Sequence, residues 1–554
     1  MGMTDAIDLT VEQRNQLTTL LRRFLPGVAV WAYGSRVKWT ARPNSDLDLV
    51  AFTTPAQRSQ VADLKDALAE SNLPFPVDLH VWDDVPERFR EIIQKEYVVV
   101  QEAKEPDSKK GLVDEWKQTT LGAIATQDGY GLVDGPFGSN LPASCYTDSG
   151  VPVIRGSNLT VGTSRFVTDE FVFVSRKTAD SLARSLCRPN DVVFTKKGTL
   201  GQTGLVPERG PYDEYLLSSN QMKLTVDRKL ADPLFVYYYV SSPESMDKIV
   251  RDSAVTGVPK TNVAYLRDFQ ISLPPLSEQR AIAHILGTLD DKIELNRRMN
   301  ETLEAMARTL FKSWFVDFDP VRAKAEGRDT GLPKHLVDLF PDSFEDSELG
   351  EIPRGWSTGS LGDFSFLNPE SWSRDTWPEV IKYVDLANAK WGRIEVLATY
   401  AKKDAPSRAQ RVLRVGDTIV GTVRPGNGSY AFVTEEGLTG STGFAVLRPR
   451  KLEYREFVYL AATVGENIDA LAHLADGGAY PAVRPEVVIS TLTVHPTDQV
   501  VAHFARTTSP FLARMAQNER ESRTLVVLRD TLLPKLISGE LRVPASTVER
   551  IGQA

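Results

Sequence analysis

The sequence predicts an α+β multidomain chain: an N-terminal α/β domain, then two mixed α/β domains that are separated and followed by long helices forming an antiparallel coiled coil. Three observations support this prediction. A chain of 554 residues is too long for one hydrophobic core and should form about three or four domains. A pattern that starts at Trp116 returns at Trp356. Each copy leads into a segment with a seven-residue apolar repeat.

The composition is that of a globular protein, with 42% hydrophobic and 25% charged residues. No apolar run approaches the roughly 18 residues of a membrane span, and the first residues lack a targeting pattern, so we expect a cytoplasmic protein without a membrane partner. Cys145 and Cys187 lack the spacing of a zinc site. The formal charge of −8 argues against a protein that coats nucleic acid nonspecifically, although a local basic surface can coexist with it.

The first hundred residues predict a helix followed by three strands. Thr10 and Gln13 have the spacing of a capping box, and leucines then recur at helical intervals until Pro26. The predicted strand segments are residues 28–33, 45–49 and 77–79.

Three carboxylates fall on these strand segments. Because side chains alternate along a strand, Asp46 and Asp48 point to one face, where their oxygens can share a divalent ion with triphosphate oxygens. Asp78, from an adjacent strand, would complete this site. Gly34 permits a close backbone approach, while Ser35 and a following helix N-terminus offer donors to phosphates.

Tyr33-Gly-Ser-Arg36, Ser45-Asp-Leu-Asp-Leu49 and Val77-Asp78-Leu79 together resemble the minimal nucleotidyltransferases of the polymerase-beta-like superfamily, over about residues 8 to 102. The resemblance implies Mg²⁺ with ATP or another nucleoside triphosphate, and a protein or RNA as the acceptor. The catalytic and metal-binding residues that it implies are Asp46, Asp48 and Asp78, and the nucleotide-binding residues are Gly34, Ser35 and Arg36. An active enzyme and a catalytically silent regulatory module both remain open.

The rest of the chain contains two related halves. Trp116 and Leu121-Gly122 recur as Trp356 and Leu361-Gly362 at one constant offset. Three further pairs of segments correspond: 188–196 with 414–424, 218–221 with 441–444, and 257–260 with 479–482.

A heptad pattern follows each half and predicts that the two helices pair antiparallel. The first helix places apolar residues and one asparagine seven apart, at Ile282, Leu289, Asn296, Leu303 and Leu310, with Ile285, Met299 and Met306 on the companion seam. The second has the apolar positions Phe504, Phe511, Met515, Leu525, Leu532 and Leu536. Asn518 interrupts this second pattern, and Asn296 and Asn518 are candidates for setting the register.

Several segments resemble the specificity subunits of type I restriction-modification systems, over about residues 113 to 545. They are Gly135-Pro-Phe-Gly-Ser139 and residues 152–158, 276–280, 311–318 and 532–539. The resemblance implies two target-recognition domains that each read half of a bipartite DNA site, and helices that act as a ruler. Because the two halves differ, the target should be asymmetric.

The resemblance also implies partners: double-stranded DNA, two copies of a methylation subunit, and restriction or translocase subunits. The chain contains neither an Asn-Pro-Pro-Tyr/Phe or Asp-Pro-Pro-Tyr methylation motif nor a G-x-x-x-x-G-K-S/T loop, so S-adenosylmethionine would enter only through the methylation subunit. The alternative is a chain that is chiefly a nucleotidyltransferase, addressed to the complex by a DNA-binding body.

Cations in Gly- or Pro-bearing segments are the candidate DNA contacts, because they can reach phosphates or guanine edges. They are Arg155, Lys196, Lys197, Lys260, Arg424 and Arg484. Solvated surface charge is the alternative for each of them. Asn220-Gln221 suits adenine contacts or a buried turn.

The predicted domain boundaries follow from these patterns. They are a nucleotidyltransferase-like domain at 1–105, a linker at 106–114, target-recognition domain 1 at 115–275, a central helical spacer at 276–325, a linker at 326–350, target-recognition domain 2 at 351–497, a distal helical spacer at 498–541 and a tail at 542–554.

Overall fold

The computed structural model describes residues 7–26, 28–42, 45–53, 58–69, 71, 73–101, 116–161, 164–253, 260–373, 375–394, 398–478 and 480–552. The chain divides into two compact units, Met1–Ile285 with Leu532–Ala554 and Leu286–Thr531. The predicted linker at 106–114 lies outside the described residues. None of the helices in the described ranges has the length and apolar composition needed to cross a membrane.

The N-terminal domain is a four-stranded sheet with helices. Its strands are β1 (Val30–Tyr33), β2 (Leu47–Ala51), β3 (Val77–Val81) and β4 (Val98–Gln101), and its helices are Val11–Phe24, Arg58–Ala69, Glu87–Lys95 and the 3₁₀ turn Trp82–Asp84. The strand order is β3-β2-β1-β4, with β2 and β3 parallel and the other pairs antiparallel.

Apolar burial explains how this sheet is covered on one face. Leu17 and Leu21 of the first helix and Leu64 of the second pack in one cluster with Leu47 and Leu49 of β2. Thr10 and Gln13 form the predicted capping box at the start of the first helix, which confirms that part of the sequence prediction. The alternate residues of β2 are therefore available to the opposite face of the sheet.

The first of the two related halves is built mainly from short strands. They are β5 (Lys117–Thr120), β6 (Leu132–Asp134), β7 (Tyr146–Thr147), β8 (Val151–Ile154), β9 (Val172–Val174), β10 (Leu186–Cys187), β11 (Val192–Thr195), β12 (Thr203–Leu205), β13 (Tyr215–Leu217), β14 (Gln221–Leu224) and β15 (Gln270–Leu273). The accompanying helices are Arg176–Ser181, Pro233–Val240, Pro243–Asp252 and Val263–Asp268.

The second half has a similar set of elements. Its strands are β16 (Phe344–Ser347), β17 (Gly350–Pro353), β18 (Ser357–Ser360), β19 (Ser365–Leu367), β20 (Val380–Val384), β21 (Ala389–Lys390), β22 (Arg393–Ile394), β23 (Ala398–Ala401), β24 (Ala409–Val412), β25 (Thr418–Gly421), β26 (Tyr430–Phe432), β27 (Leu438–Ser441), β28 (Phe444–Pro449) and β29 (Leu492–His495). Its helices include Leu361–Phe364, Arg455–Thr463, Gly465–Leu474 and Pro485–Ile489.

The two halves share their strand order, sheet by sheet. The order β12-β11-β14-β6 of the first half corresponds to β26-β25-β28-β19 of the second. The order β10-β13-β8-β9, which β7 extends by a fifth strand in the first half, corresponds to β24-β27-β20-β23. The antiparallel pair of β5 and β15 corresponds to that of β18 and β29. The internal repeat that the sequence predicts is therefore a repeat of the fold.

A buried aspartate marks the same turn in each half. Asp191, 2% exposed, accepts a hydrogen bond from the backbone N–H of Arg188 at 3.0 Å, and Asp417, 1% exposed, accepts one from Arg414 at 2.9 Å. Each carboxylate also pairs with a basic side chain of its own half. A buried carboxylate is costly unless it is bonded. The shared contacts therefore identify Asp191 and Asp417 as equivalent positions when the sequences of the two halves are aligned.

The two long helices, the central helix Leu276–Phe315 and the distal helix Asp498–Ile537, are 40 residues each. Within the unit Leu286–Thr531, Asp290 pairs with Arg529 at 2.9 Å, while the ring centroids of Phe311 and Phe504 lie 6.1 Å apart. Residues near the start of one helix thus contact residues near the end of the other. This confirms the predicted antiparallel pairing.

Asparagines form a buried polar layer between these helices. The Asn296 side-chain amide donates to Glu521 at 2.8 Å and to the Asn518 carbonyl at 3.4 Å, and Asn518 donates to Asn300 at 2.8 Å. Asn296 and Asn518, the predicted register candidates, both lie in this layer, whereas Asn300 was not predicted. The hydrogen bonds of this layer can form only in certain registers of the two helices, as is usual for polar core residues in coiled coils.

One position in the heptad prediction is wrong. Met306 is 48% exposed, whereas the adjacent Ala307 is buried. An α-helix has 3.6 residues per turn, so a strict seven-residue spacing drifts around the helix by about 20° per heptad. The drift moves the seam from Met306 towards Ala307.

Residues 326–350, predicted as a linker, are more ordered than that term implies. They include the helix Lys334–Val337 and the strand β16, and Phe340 is buried at 2% exposure. The central spacer region contains a second helix, Asp319–Ala325, and the tail contains the helix Ala545–Gly552. The sequence shows no apolar periodicity here, because the segment packs through single buried residues such as Phe340 and not through a repeating apolar face.

Candidate functional site

The three predicted carboxylates of the N-terminal domain lie together. Asp48 on β2 and Asp78 on β3 are register partners in the parallel pair, and Asp46 immediately precedes β2. One carboxylate oxygen from each residue lies within 4.8 Å of the others. Such an oxygen cluster is what a hard divalent cation requires. The roles of these residues in catalysis stay a prediction.

The mutual repulsion of these carboxylates is visible in their electrostatics. Burial raises the pKa of Asp48, and the charges of Asp46 and Asp78 raise it further, while His80 acts in the opposite direction. Burial, followed by the three carboxylates, raises the pKa of Tyr33 to about 12. Because negative charge is disfavoured here, a bound cation would lower the electrostatic energy of the site.

At position 34, which follows β1 and lies beside the carboxylates, glycine is the residue type that fits. Its φ is +83°, and a Cβ at this position would lie 2.2 Å from Oδ2 of Asp48. The backbone of Gly34 therefore lies close to the Asp48 carboxylate, while its predicted approach to nucleotide phosphates stays a prediction.

The segment after Gly34 consists of turns, where the sequence analysis expected a helix N-terminus. Lys38 N–H donates to the Gly34 carbonyl at 3.2 Å and Thr40 N–H to the Ser35 carbonyl at 3.0 Å. Trp39 has a φ of +56°, which a right-handed helix cannot contain. Ser35 is half-buried at the start of these turns, and its contact with a nucleotide stays a prediction.

Arg36 was predicted to bind nucleotide. It is buried, with 5% of its surface exposed, and its side chain makes hydrogen bonds within the domain. Its guanidinium donates to the Ser45 carbonyl at 2.7 and 3.0 Å and to the Asp8 carbonyl at 3.1 Å, and its Cζ lies 3.7 Å from the Phe75 ring centroid. These contacts position the segment that precedes Asp46. We therefore assign Arg36 a positioning role, while its contact with nucleotide remains a prediction.

A polar groove of about 490 Å³ lies in the first related half. Arg155 and Lys197, both predicted DNA contacts, line it together. Tyr146, Gly156, Gly198 and a set of hydroxyl and amide side chains complete its walls, the latter being Ser157, Thr195, Thr199, Gln202, Ser218, Ser219, Asn220 and Gln221. Such donors and acceptors suit the edges of bases and phosphate oxygens.

The other predicted contacts of this half differ in their surroundings. Lys260 is exposed, and its backbone forms a β-bridge with Lys197. Lys196 is half-buried and pairs with Asp134 at 3.0 Å. Gln221 is 1% exposed and bonds to Ser218, which favours the buried turn among its two predicted roles.

The corresponding edge of the second half carries the two remaining predicted contacts. A β-bridge joins Val423 to Ala482. Arg424 and Arg484 therefore lie on two backbone segments that run next to each other. Both arginines are exposed, and the Cζ of Arg424 lies 4.7 Å from the Tyr480 ring centroid. Tyr480 was not among the predicted contacts, although the recurrence of its segment beside a proline offered a signal.

Two families match different parts of the chain. Residues 139–305 match the family described as type I restriction modification DNA specificity domain, and residues 15–106 match the family described as polymerase beta, nucleotidyltransferase. These ranges fall in the first related half with the central helix, and in the carboxylate-bearing domain.

Similar proteins show the same division. The HindI type I restriction enzyme specificity subunit of Haemophilus influenzae is 26% identical over 411 residues, 62% of this chain and 87% of that protein. The MjaIX specificity subunit of Methanocaldococcus jannaschii is 22% identical over 400 residues, 68% and 84% respectively. A probable protein adenylyltransferase, MntA of Haemophilus influenzae, is 44% identical over 97 residues, 17% of this chain and 85% of that protein.

Proposed function

Because the chain belongs to the specificity subunits of type I restriction-modification systems and carries a nucleotidyltransferase domain at its N-terminal end, we propose that its two related halves read an asymmetric bipartite DNA sequence. The observation that supports this most is the shared strand order of the halves. Two copies of one fold can present equivalent edges to two half-sites, as the two subunits of a dimeric reader do.

The side chains at the equivalent edges support an asymmetric target. The first half offers Arg155 and Lys197 in a groove with amides and hydroxyls, whereas the second offers Arg424 beside Tyr480. Different donor patterns select different base pairs. The paired helices, about 60 Å long each by their residue number, would set the number of unread base pairs.

We place the protein in the cytoplasm, where methylation subunits and restriction or translocase subunits would be recruited to the DNA that it reads. S-adenosylmethionine would be bound by the methylation subunit.

Selection from a randomised duplex library tests this reading. The complex assembled with its methylation subunits would be incubated with the library, and the bound fragments sequenced. We expect two short, different half-sites at one fixed spacing. The proposal would be contradicted if the complex selected one half-site alone. It would also be contradicted if the complex selected no motif beyond what the methylation subunits select without this chain.

For the N-terminal domain, we propose transfer of a nucleotide, AMP from ATP in the first instance, to a partner protein or RNA. The 44% identity to a probable protein adenylyltransferase and the clustered carboxylates support this. Asp46, Asp48 and Asp78 would hold Mg²⁺, which when bound neutralises charge on the triphosphate and the departing pyrophosphate. Gly34 leaves the space beside Asp48 that a side chain would fill.

Incubating the complex with ATP labelled on its α-phosphate and with Mg²⁺ or Mn²⁺ tests this second proposal. We expect label on a copurified protein or RNA with the wild type and none with Asp48→Asn. Asp84→Asn is the matched control, because Asp84 lies in the same domain but pairs with Arg58 at 2.8 Å. Equal labelling by the wild type and Asp48→Asn, or no labelling at all, would favour a silent module.

A further inference from the structure

Arg424 has a backbone conformation that a non-glycine residue rarely adopts. Its φ is +47°, in the left-handed region. The alignment that pairs Asp191 with Asp417 also pairs Gly198 with Arg424, and Gly198 has a φ of +110°. The first half thus uses glycine at this turn, where no atom of the described residues would lie within 4 Å of an added Cβ. The second half keeps arginine there despite a cost of about 1–2 kcal/mol.

The backbone around Arg424 is held on both sides. Val423 bridges Ala482, and Ala482 bridges Asp476. The N–H of Arg424 donates to the Pro481 carbonyl at 2.7 Å. The turn between these two bridged residues is closed by a hydrogen bond from Tyr480 N–H to the Gly477 carbonyl at 3.0 Å. Arg424 and Tyr480 are therefore presented from one paired piece of backbone.

The side chains of these two residues form a cation–π pair at the surface. The Cζ of Arg424 lies 4.7 Å from the Tyr480 ring centroid, and Tyr480 is 71% exposed. A ring beneath a guanidinium attracts the cation and limits the rotation of its plane. The N–H groups along the edge of the guanidinium are the ones that can donate in parallel to two acceptors.

We propose that Arg424 reads a guanine in the half-site of the second related half, and that Tyr480 is the positioning residue that orients its guanidinium. This inference rests on the proposed DNA-reading function. Guanine presents two acceptors, O6 and N7, in the major groove, which is the pattern that an oriented arginine matches. The first half has glycine at the equivalent position, so this contact belongs to one half-site and contributes to the asymmetry of the target.

A base contact explains the arrangement better than a phosphate contact. A phosphate needs a positive charge within reach, which a lysine or arginine on unstrained backbone supplies. Reading a base edge needs the guanidinium plane at a defined angle, and both the fixed backbone and the ring beneath the side chain serve that requirement. Lys197, one residue before Gly198, lies in the groove of the first half without such a ring contact in the described residues.

The library selection, applied to variants of the assembled complex, tests this assignment. Arg424→Ala should lose about ten- to hundredfold discrimination at one G·C pair of one half-site, because alanine cannot donate to O6 and N7. Arg424→Lys should lose part of that discrimination, because the lysine ammonium lacks the planar guanidinium that the Tyr480 ring orients. Tyr480→Leu should reduce discrimination at the same pair, and Tyr480→Phe should retain it, because the ring remains.

Arg450→Ala is the matched control. Arg450 is exposed and its Cζ lies 4.2 Å from the Phe366 ring centroid, but it follows the end of β28 remote from Gly421. This variant should leave the selected motif unchanged. The half-site read by the first half serves as an internal control of folding and assembly in every variant.

Two results would overturn the inference while leaving the proposed function intact. One is a wild-type bipartite motif that Arg424→Ala leaves unchanged at every position. The other is binding that weakens uniformly over all sequences and is restored by Arg424→Lys, which indicates a phosphate contact. Failure of the wild type to select any bipartite motif would instead count against the proposed function itself.

Discussion

At the scale of single residues, Gly34 determines how closely β1 approaches the candidate metal ligands. The site depends on a missing side chain, since a Cβ would lie 2.2 Å from Asp48 Oδ2. We expect Gly34→Ala to displace Asp48 and abolish both Mn²⁺ binding, measured by calorimetry, and nucleotide transfer. Gly129→Ala controls for backbone strain, because Gly129 has a φ of +82° and a Cβ there would meet no atom of the described chain within 4 Å. Unchanged Mn²⁺ affinity in Gly34→Ala would contradict the site.

The buried guanidinium of Arg36 makes a second prediction at this scale. It bonds to backbone carbonyls of Ser45 and Asp8, so Arg36→Leu would leave these acceptors without their donor. We expect the N-terminal domain to lose about 2–4 kcal/mol of stability. Hydrogen exchange of β1 and β2 would report the loss, with β11 and β14 as an unaffected reference. Exchange in β1 and β2 at the wild-type rate would show that Arg36 is not a structural anchor.

Some of these residues could be identified from sequence and others could not. Asp46 and Asp48 were predictable because alternation along a strand is a local property. The burial of Arg36 was not, since it depends on Phe75, which lies far along the chain. Tyr480 was missed for the same reason: its partner Arg424 is brought to it by the bridge between Val423 and Ala482.

At the scale of elements, the paired long helices contain charged and polar groups where a simple coiled coil has apolar ones. Beside the seam of these helices, Glu519 on the distal helix is half-buried, and the charged groups that act on it include Arg393 and Glu435 of the second related half. Burial raises the pKa of its carboxyl to about 7 from 4.5, and the charges of Glu435 and Glu304 add to the rise. Arg523 and Arg393 act in the opposite direction without cancelling it.

This shift predicts a pH-dependent stability. The folded chain binds a proton at Glu519 more tightly than the unfolded chain, so the folded state loses stability as the pH rises from about 4.5 through about 7. We expect Glu519→Gln to have nearly the wild-type melting temperature at about pH 5 and a higher one at about pH 8. Glu521→Gln, at an exposed position of the same helix, should show no such gain above neutral pH. A difference between Glu519→Gln and wild type that does not change with pH would refute the assignment.

The heptad spacing predicted both helices, their antiparallel pairing, and Asn296 and Asn518 as polar positions that could set the register, because apolar periodicity is readable in one chain. It placed Met306 on the seam in place of Ala307, since the exact rotation of a helix depends on what packs against it. The helix and hairpin strand between residues 326 and 350 gave no periodic signal at all.

At the scale of the whole molecule, the chain combines a repeated DNA-reading fold with a separate carboxylate-bearing domain. The correspondence of the two halves was predictable from recurring segments, whereas the strand order of each sheet was not, because strands such as β8 and β13 pair over long sequence distances. The sheet of β1 to β4 shares no strand with the sheets of the two related halves. The two functions should for this reason be separable by truncation.

Removal of residues 1–105 tests that separation. We expect the truncated complex to select the same bipartite motif as the full chain, because the strands β5 to β29 form their sheets without the first four. Nucleotide transfer should disappear entirely. Loss of motif selection by a truncated protein that still assembles with methylation subunits would show that the N-terminal domain takes part in DNA reading.

The central claim is that two equivalent but nonidentical halves read one split DNA sequence. Mapping methylated bases across the genome of a host that expresses this chain with its methylation subunits tests it most directly. The result that we predict is one motif with two different half-sites at a single spacing, modified on both strands and absent when this chain is omitted. A continuous motif, a palindromic pair of half-sites, or a variable spacing would contradict it.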